Sequence, residues 1–538
     1  GVIAVMKRKV ARAWALASCL LGGCNDDRTA ADGSGSGTGD GDTATGESSS
    51  GEPPFEGVRL NTVVTFVDAD GVLSTASVSP FESFSGWTVE VGTGAAREVF
   101  TGYYDPVGWF ELPGVPEGPY LLRRVDASDM SWFVALDLRE IEADGRLRAG
   151  RSTASWSWSP STLLTLDVSS MRAVEDGDSF DLYSRNVDAL DAYINYGAVP
   201  EPGSTSIDGW VIPWTPRNIL GQTPAVDPAA GDDLWLTHLV TVPVVVEPPP
   251  DDIDDAWSRA RSTRLVEVAA LELDEALYDD VSAEASGSFV SVAAEPVSLD
   301  LRLEQFHAEI GSTVGSQVES VDTFCSAQIV VAPGEEVPVD GMTPSLASIW
   351  VDNRDGGPPP GDRVVELRAG NPFGSGTEML VVGCVAMSHV THPELHNRES
   401  AEVELWLTQP LGDGGLAGPA LGMPGDIRVG DEPCGIDDVL TGVGTTPTVS
   451  LSAPGLGAAD YYEITVMQLT GSPDDSSPYR VGGLETTATT FTLPEGLLQP
   501  DSYYRLEIEA HSGRRLGEGR AYAHAQHRSK ATSGVFTP

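Results

Sequence analysis

The sequence predicts an all-β protein built of tandem β-sandwich domains, and three observations predict it. Apolar residues recur with period two, as in Val63-Val64-Thr65-Phe66-Val67, Trp87-Thr88-Val89-Glu90-Val91, Leu163-Leu164-Thr165-Leu166-Asp167-Val168 and Phe289-Val290-Ser291-Val292. Glycine (59) and proline (38) punctuate these runs at short intervals. Long stretches with apolar spacing of three and four are rare. A chain of 538 residues suggests three or four domains at ~150 residues each. A hydrophobic fraction of 41% is enough for packed cores. The formal charge of −48 argues against nucleic acid as a partner, because that association begins with neutralising phosphates. It argues equally against a polybasic membrane patch.

Residues 1–23 read as an address. Lys7-Arg8-Lys9 and Arg12 precede a short apolar run, too short to cross a bilayer, which needs ~20 residues. Met6 is the expected start. Leu21-Gly22-Gly23-Cys24 resembles a bacterial lipobox. The resemblance implies cleavage before Cys24, lipidation of Cys24, and anchoring to the bacterial cell envelope, with the outer membrane the expected site. Two or three acyl chains hold durably where one does not. Losing residues 1–23 takes four cations and no acids away, leaving a charge of about −52 and a single lysine, Lys530.

Residues 24–57 are an acidic Gly/Ser/Asp linker with almost nothing to bury, so disorder is expected. A chain of this length spans ~30 Å at ~5–6 Å × √n, enough to hold folded domains off a membrane.

Residues 58–145 are expected to form the first sandwich. The run Gly108-Trp109-Phe110-Glu111-Leu112-Pro113-Gly114-Val115-Pro116-Glu117-Gly118-Pro119-Tyr120-Leu121-Leu122 resembles prealbumin-like and carboxypeptidase-regulatory-like sandwiches. In these, Pro and Gly fix a turn between an aromatic strand and a Tyr-x-Leu strand. Such domains are structural or adhesive spacers, so the resemblance implies no catalysis.

Residues 146–310 and 311–437 are expected to be two β-rich domains of unnamed family, divided near Gly311 where Gly311-Ser312-Thr313-Val314-Gly315-Ser316 interrupts the strand pattern. Two helices are expected here. Asp251 to Thr263 carries aspartates at its start and arginines towards its end, the charge order that suits a helix dipole. Val187 to Tyr196 is the weaker one.

Residues 438–538 complete the set. Leu498-Gln499-Pro500-Asp501-Ser502-Tyr503-Tyr504-Arg505-Leu506-Glu507-Ile508-Glu509-Ala510 is similar to the corner run of fibronectin type III domains, a branch of the immunoglobulin-like sandwiches. The resemblance implies that the Tyr504 hydroxyl bonds back to nearby backbone. The chain departs from the pattern at Thr448-Val449-Ser450-Leu451-Ser452, which lacks the usual core Trp.

Several residue sets are candidates for chemistry. Cys325, Cys384 and Cys434 sit in an oxidising compartment if exported, so one disulfide is expected, with Cys325–Cys384 the preferred pair and one thiol left over. His389, His392 and His396, with Glu394 and Cys384 nearby, are ligand types for zinc or copper. Their spacing fits no helical zinc motif, and Pro393 breaks a helix between them, so an ordinary polar loop is the competing reading. Asp68-Ala69-Asp70-Gly71 and Asp352-Asn353-Arg354-Asp355-Gly356 are turns of a kind that bind calcium, although turns favour Asp and Gly for backbone reasons alone. Trp156 and Trp158 alternate and face one side of a strand, where flat rings stack on sugars or pack a core. No Gly-x-Ser-x-Gly elbow, phosphate-cradling loop or dinucleotide fingerprint occurs.

The sequence therefore favours a non-enzymatic, membrane-anchored envelope lipoprotein for display or adhesion, with a glycan or protein partner on the cell surface and no resident cofactor. A carbohydrate- or metal-binding receptor is the alternative, with calcium or zinc the metals to consider, and a secreted hydrolase with accessory sandwiches the second.

Overall fold

The computed structural model describes residues 56–538 apart from 62, 68–72, 78–83, 93, 105–108, 127–129, 143–146, 155, 158–161, 188, 192–199, 215–222, 248, 250–255, 278–281, 316–321, 333–343, 354–359, 375, 414–415, 473–474 and 514–526. Strands dominate the described residues, and the single α-helix among them is Leu303–Val314. The class is all-β. The chain folds as four sandwich-like modules joined by strand pairing.

In the first module, strands Gly57–Asn61, Tyr103–Tyr104, Trp109–Pro113 and Glu140–Glu142 form one sheet. Strands Phe84–Val91, Glu98–Thr101, Tyr120–Asp126 and Ser131–Leu136 form the facing layer. Alternation decides which side chains are buried: Phe110 and Leu112 go inward while Trp109 and Glu111 stay half-exposed. They meet Val58, Leu60, Trp87, Val89, Tyr120 and Leu122 in one core. The turn between Trp109–Pro113 and Tyr120–Asp126 needs positive φ at Gly114 (76°) and Gly118 (112°), which glycine adopts freely. Arg139 Nη1 donates to the Val115 carbonyl across 3.0 Å and closes this turn.

In the second module, Leu163–Ser169 pairs antiparallel with Ile207–Pro213 and parallel with Ala283–Ser288. The facing layer contains Ser179–Ser184, Ala189–Asp191, Trp235–Val242 and Arg261–Leu273. Leu164, Leu166 and Val168 point in from Leu163–Ser169, and Phe180, Leu182, Leu236 and Trp214 complete the core.

Both expected helices are corrected here. Of Asp251 to Thr263, residues 251–255 lie outside the described set, Ala256–Arg259 is one 3-10 turn, and the strand Arg261–Leu273 begins directly after it. Edge partners outweigh the charge order: this strand pairs with both Trp235–Val242 and Ser345–Asp352. Of Val187 to Tyr196, Ala189–Asp191 is a strand, and residues 192–199 lie outside the described set. The helix that does form lies where a domain break was expected. Leu303, Phe306, Ile310 and Val314 share its buried face at near-helical spacing, and their burial offsets an interior Gly311, which costs ~1 kcal/mol relative to Ala. The Asp362 carboxylate accepts the Glu304 N–H at the helix start.

In the third module, Ser345–Asp352, Asp322–Ala332, Thr377–Thr391 and Arg398–Pro410 follow one another in a long antiparallel sheet. It faces a sheet of Val245–Glu247, Arg363–Ala369, Glu295–Leu301 and Leu416–Ala417. The helix packs into the same core.

In the fourth module, Gly425–Val429, Thr448–Ser452 and Thr490–Thr492 lie against a sheet in the order Asp475–Thr486, Tyr461–Ser472, Tyr503–Ser512, His527–Thr532. Strand Gly425–Val429 thus belongs with residues beyond the expected boundary at 437/438. Tyr504 is fully buried, and its hydroxyl accepts the Gln499 N–H at 2.8 Å.

Three seams join the modules. Arg261–Leu273 serves both the second and the third. His527–Thr532 pairs with Tyr503–Ser512 on one side and with Glu404–Leu407 on the other, so the sheet runs unbroken from the third module into the fourth. Gly482–Glu485 pairs parallel with Ser131–Val134 and ties the fourth module to the first.

Candidate functional site at the seam of the second and third modules

The residues singled out from sequence fall in separate places. Cys24 and Trp158 lie outside the described residues. Trp156 sits in a two-residue strand opposite Pro224. Cys325 and Cys384 face each other across adjacent strands with Cα atoms 4.1 Å apart and are joined by a disulfide. Cys434 is a buried free thiol whose pKa burial, with help from Asp438, pushes up to about 12, so it is not a poised nucleophile.

The three histidines of the metal candidate lie in and beside one strand-to-strand connection. His389 lies within strand Thr377–Thr391 opposite Ser400. His392 is buried, and its Nδ1 accepts the N–H groups of Glu394 (3.2 Å) and Leu395 (3.1 Å), which uses its lone pair to close a turn. His396 ends that turn with φ 57°. Among the described residues no group of three His, Cys, Asp or Glu side chains is placed to hold a metal ion. Of the acidic turns, residues 68–72 and 354–359 lie outside the described set. Asn353 is buried, and its side-chain oxygen accepts the Thr323 N–H.

A different site comes together where the second and third modules meet. A groove of about 470 Å³ is lined by Arg172, Arg264, Glu267, Ser291 and Arg368, with Val266, Val292 and Ala294 as its apolar part. The shared strand supplies Arg264, Val266 and Glu267. Arg172 comes from the turn after Leu163–Ser169, and Arg368 from Arg363–Ala369 of the third module. Clefts between domains are where ligands are commonly held.

The electrostatics of the groove are set from behind. His238 is fully buried between two carboxylates, with Nδ1 2.9 Å from Glu267 Oε1 and Nε2 3.0 Å from Asp178 Oδ2. Its ring stacks on Phe180 at 4.4 Å. Glu267 Oε1 also accepts the Arg172 N–H at 2.8 Å. The only acid lining the groove among the described residues is therefore engaged by the protein interior. Arg172 Nη2 reaches Glu175 Oε1 at 2.6 Å in an exposed pair, and Arg368 Nη2 reaches the Ala294 carbonyl at 3.3 Å. Arg264 Nε is buried and has no hydrogen-bond partner among the described residues. Three arginines thus line one cleft of a chain that carries 80 acids. Sequence reading misses this site because its arginines are far apart in the chain and each looks like an ordinary surface charge.

No family model matches the chain, and no curated protein matches it. Among solved structures the chain is similar to the crystal structure of a tetra-tandem repeat in the extending region of a large adhesion protein. The identity is 12%, the match covers 88% of this chain and 98% of that one, and the TM-score is 0.12.

Proposed function

We propose that the protein is a non-enzymatic lipoprotein of the bacterial cell envelope that displays tandem β-sandwich modules for adhesion or envelope interaction. The observation that carries this reading is the fusion of the modules through shared strands, Arg261–Leu273 and His527–Thr532. Backbone hydrogen bonds across such seams hold neighbouring modules together without a flexible linker, which suits a body that must carry load or present a surface. The lipobox at Leu21-Gly22-Gly23-Cys24 and the acidic linker support anchoring. The sheet order of the fourth module and the Tyr504 bond support a fibronectin type III-like domain there. The Gly114–Gly118 turn and the two-layered core support a prealbumin-like first module. Fold alone does not specify function, so the anchoring is the part to test.

Growth of the native host with labelled palmitate is the direct experiment. The wild-type chain is expected to take up label and to fractionate with membranes. Cys24→Ser is expected to lose the label and to accumulate as an unprocessed precursor. Equal labelling of the variant, or wild-type protein in the cytosolic fraction, overturns the reading.

A further inference from the structure

We infer that the groove between the second and third modules binds an acidic glycan through its carboxylate groups, with Arg172, Arg264 and Arg368 as the anion-holding residues. The inference deepens the adhesion reading by naming a ligand class, and it rests on that reading only for where the ligand is met.

Six observations carry it. Guanidinium groups present planar forks that match the two oxygens of a carboxylate, and three arginines line this one cleft. Arg264, half-buried in the groove wall, keeps an Nε–H with no partner among the described residues. The lone lining carboxylate, Glu267, is held by His238 and by the Arg172 N–H, so it is committed elsewhere. The Asp178–His238–Glu267 chain is thus a positioning device: it fixes the Glu267 carboxylate and, through it, the backbone of Arg172 beside the groove. The apolar strip of Val266, Val292 and Ala294 beside the Ser291 hydroxyl offers a sugar ring a surface and a hydrogen bond. A volume of about 470 Å³ suits one or two sugar residues of a polymer that continues along the seam. The exposed Arg172–Glu175 pair is weak and yields readily to a ligand oxyanion.

The test is calorimetric titration of the whole chain with oligogalacturonate, set beside a neutral galactose oligomer, free galacturonate, inorganic sulfate and polyglutamate. Binding of the oligogalacturonate is expected to weaken as salt rises, with no heat from the neutral oligomer. Arg264→Gln is expected to lower affinity ~10-fold or more. Arg172→Gln and Arg368→Gln lie at exposed positions, so they test the site even if Arg264→Gln fails to fold. Equal binding of the neutral oligomer overturns the inference, as do wild-type affinities in both exposed-site variants. Tighter binding of polyglutamate makes the ligand an acidic peptide, and equal binding of sulfate and oligomer leaves only a free-anion site; either result overturns the glycan assignment. The titration does not depend on lipidation, so failure of the palmitate labelling and failure of the groove are separable.

Discussion

The seam between the third and fourth modules and the seam between the first and fourth both use strand pairing, yet opposite means hold them. The first is ionic. On one face of the shared sheet, Glu402 and Glu404 lie beside Arg528 and Lys530, and Lys530 Nζ contacts Glu402 Oε2 (3.3 Å) and Glu404 Oε1. Arg528 reaches Glu404 Oε2 at 3.0 Å and stacks over Trp406 at 5.7 Å. Burial pushes the Glu404 carboxyl up, but Lys530 and Arg528 more than reverse it and bring it to about 2. Burial likewise disfavours a charged Lys530, and Glu404, Glu507, Glu509 and Glu402 together hold it protonated. The second seam is steric. Gly482 and Gly483 lie against Ser131 and Trp132, with no room for a side chain. A Cβ on Gly483 would lie 2.5 Å from the Trp132 ring. That ring is flanked by Arg124 and Arg480 at 5.7 and 5.4 Å. The contrast teaches that an ionic seam fails when a charge is removed, whereas a steric seam fails when volume is added.

The largest expected effect breaks the ionic seam. Lys530→Met takes one of its two cations from buried Glu404, leaving Arg528 alone, and the Lys530 partner from half-buried Glu402, which costs ~3–5 kcal/mol in denaturant unfolding. The double variant Lys530→Met with Glu404→Leu is expected to recover much of that loss. A single variant within 1 kcal/mol of wild type would sink the ionic account. A smaller effect is expected at the steric seam. Gly483→Ala forces Trp132 or its strand to move, at ~1–3 kcal/mol. Amide exchange should rise at residues 131–134 while strand Arg398–Pro410 stays protected; equal loosening of both would contradict separate seams.

The smallest effect sharpens the edge of the ionic seam. The turn after His392 meets the fourth module there, because Tyr503 donates to Glu394 Oε1 at 3.2 Å and packs on the His392 ring at 4.9 Å. Burial lowers the His392 pKa below 6.5, against a smaller upward pull from Glu394. The neutral ring is therefore favoured in the folded state. The turn's full stability is present above pH 6.5 and declines as pH falls below it. Losing the two accepted bonds costs ~1 kcal/mol each. Exchange at the Glu394 and Leu395 amides should accelerate in that window, and a flat profile would remove His392 from the seam.

The parts legible in the sequence are those that short-range physics sets. Leu163–Ser169 declares itself through alternating Leu164, Leu166 and Val168. The Tyr504 corner announces itself in a few residues. The seams are not legible, because strand alternation says which face is buried and not which distant strand lies alongside. Arg261–Leu273 shows the limit well: its charged flank imitates a helix end, and only the two edges waiting for it make it a strand. Phe289–Val292 shows another: the strand itself is only Val290–Ser291, while the Phe289 side chain packs against Phe180 and His238. The groove hides for the same reason as the seams, since its three arginines converge only through tertiary structure.

The strand His527–Thr532 also dictates an order of assembly. It follows both of its neighbours in the chain, so neither Arg398–Pro410 nor Tyr503–Ser512 gains its shared partner until this segment emerges. During that interval two sheet edges are open, and open edges invite wrong pairing. Those edges carry Glu402 and Glu404 on one side and Glu507 and Glu509 on the other. Until Arg528 and Lys530 arrive, the carboxylates repel each other and any second chain that presents the same edge. The acids of the seam thus disfavour pairing of those edges with copies of themselves and favour a strand that carries matching cations, as His527–Thr532 does.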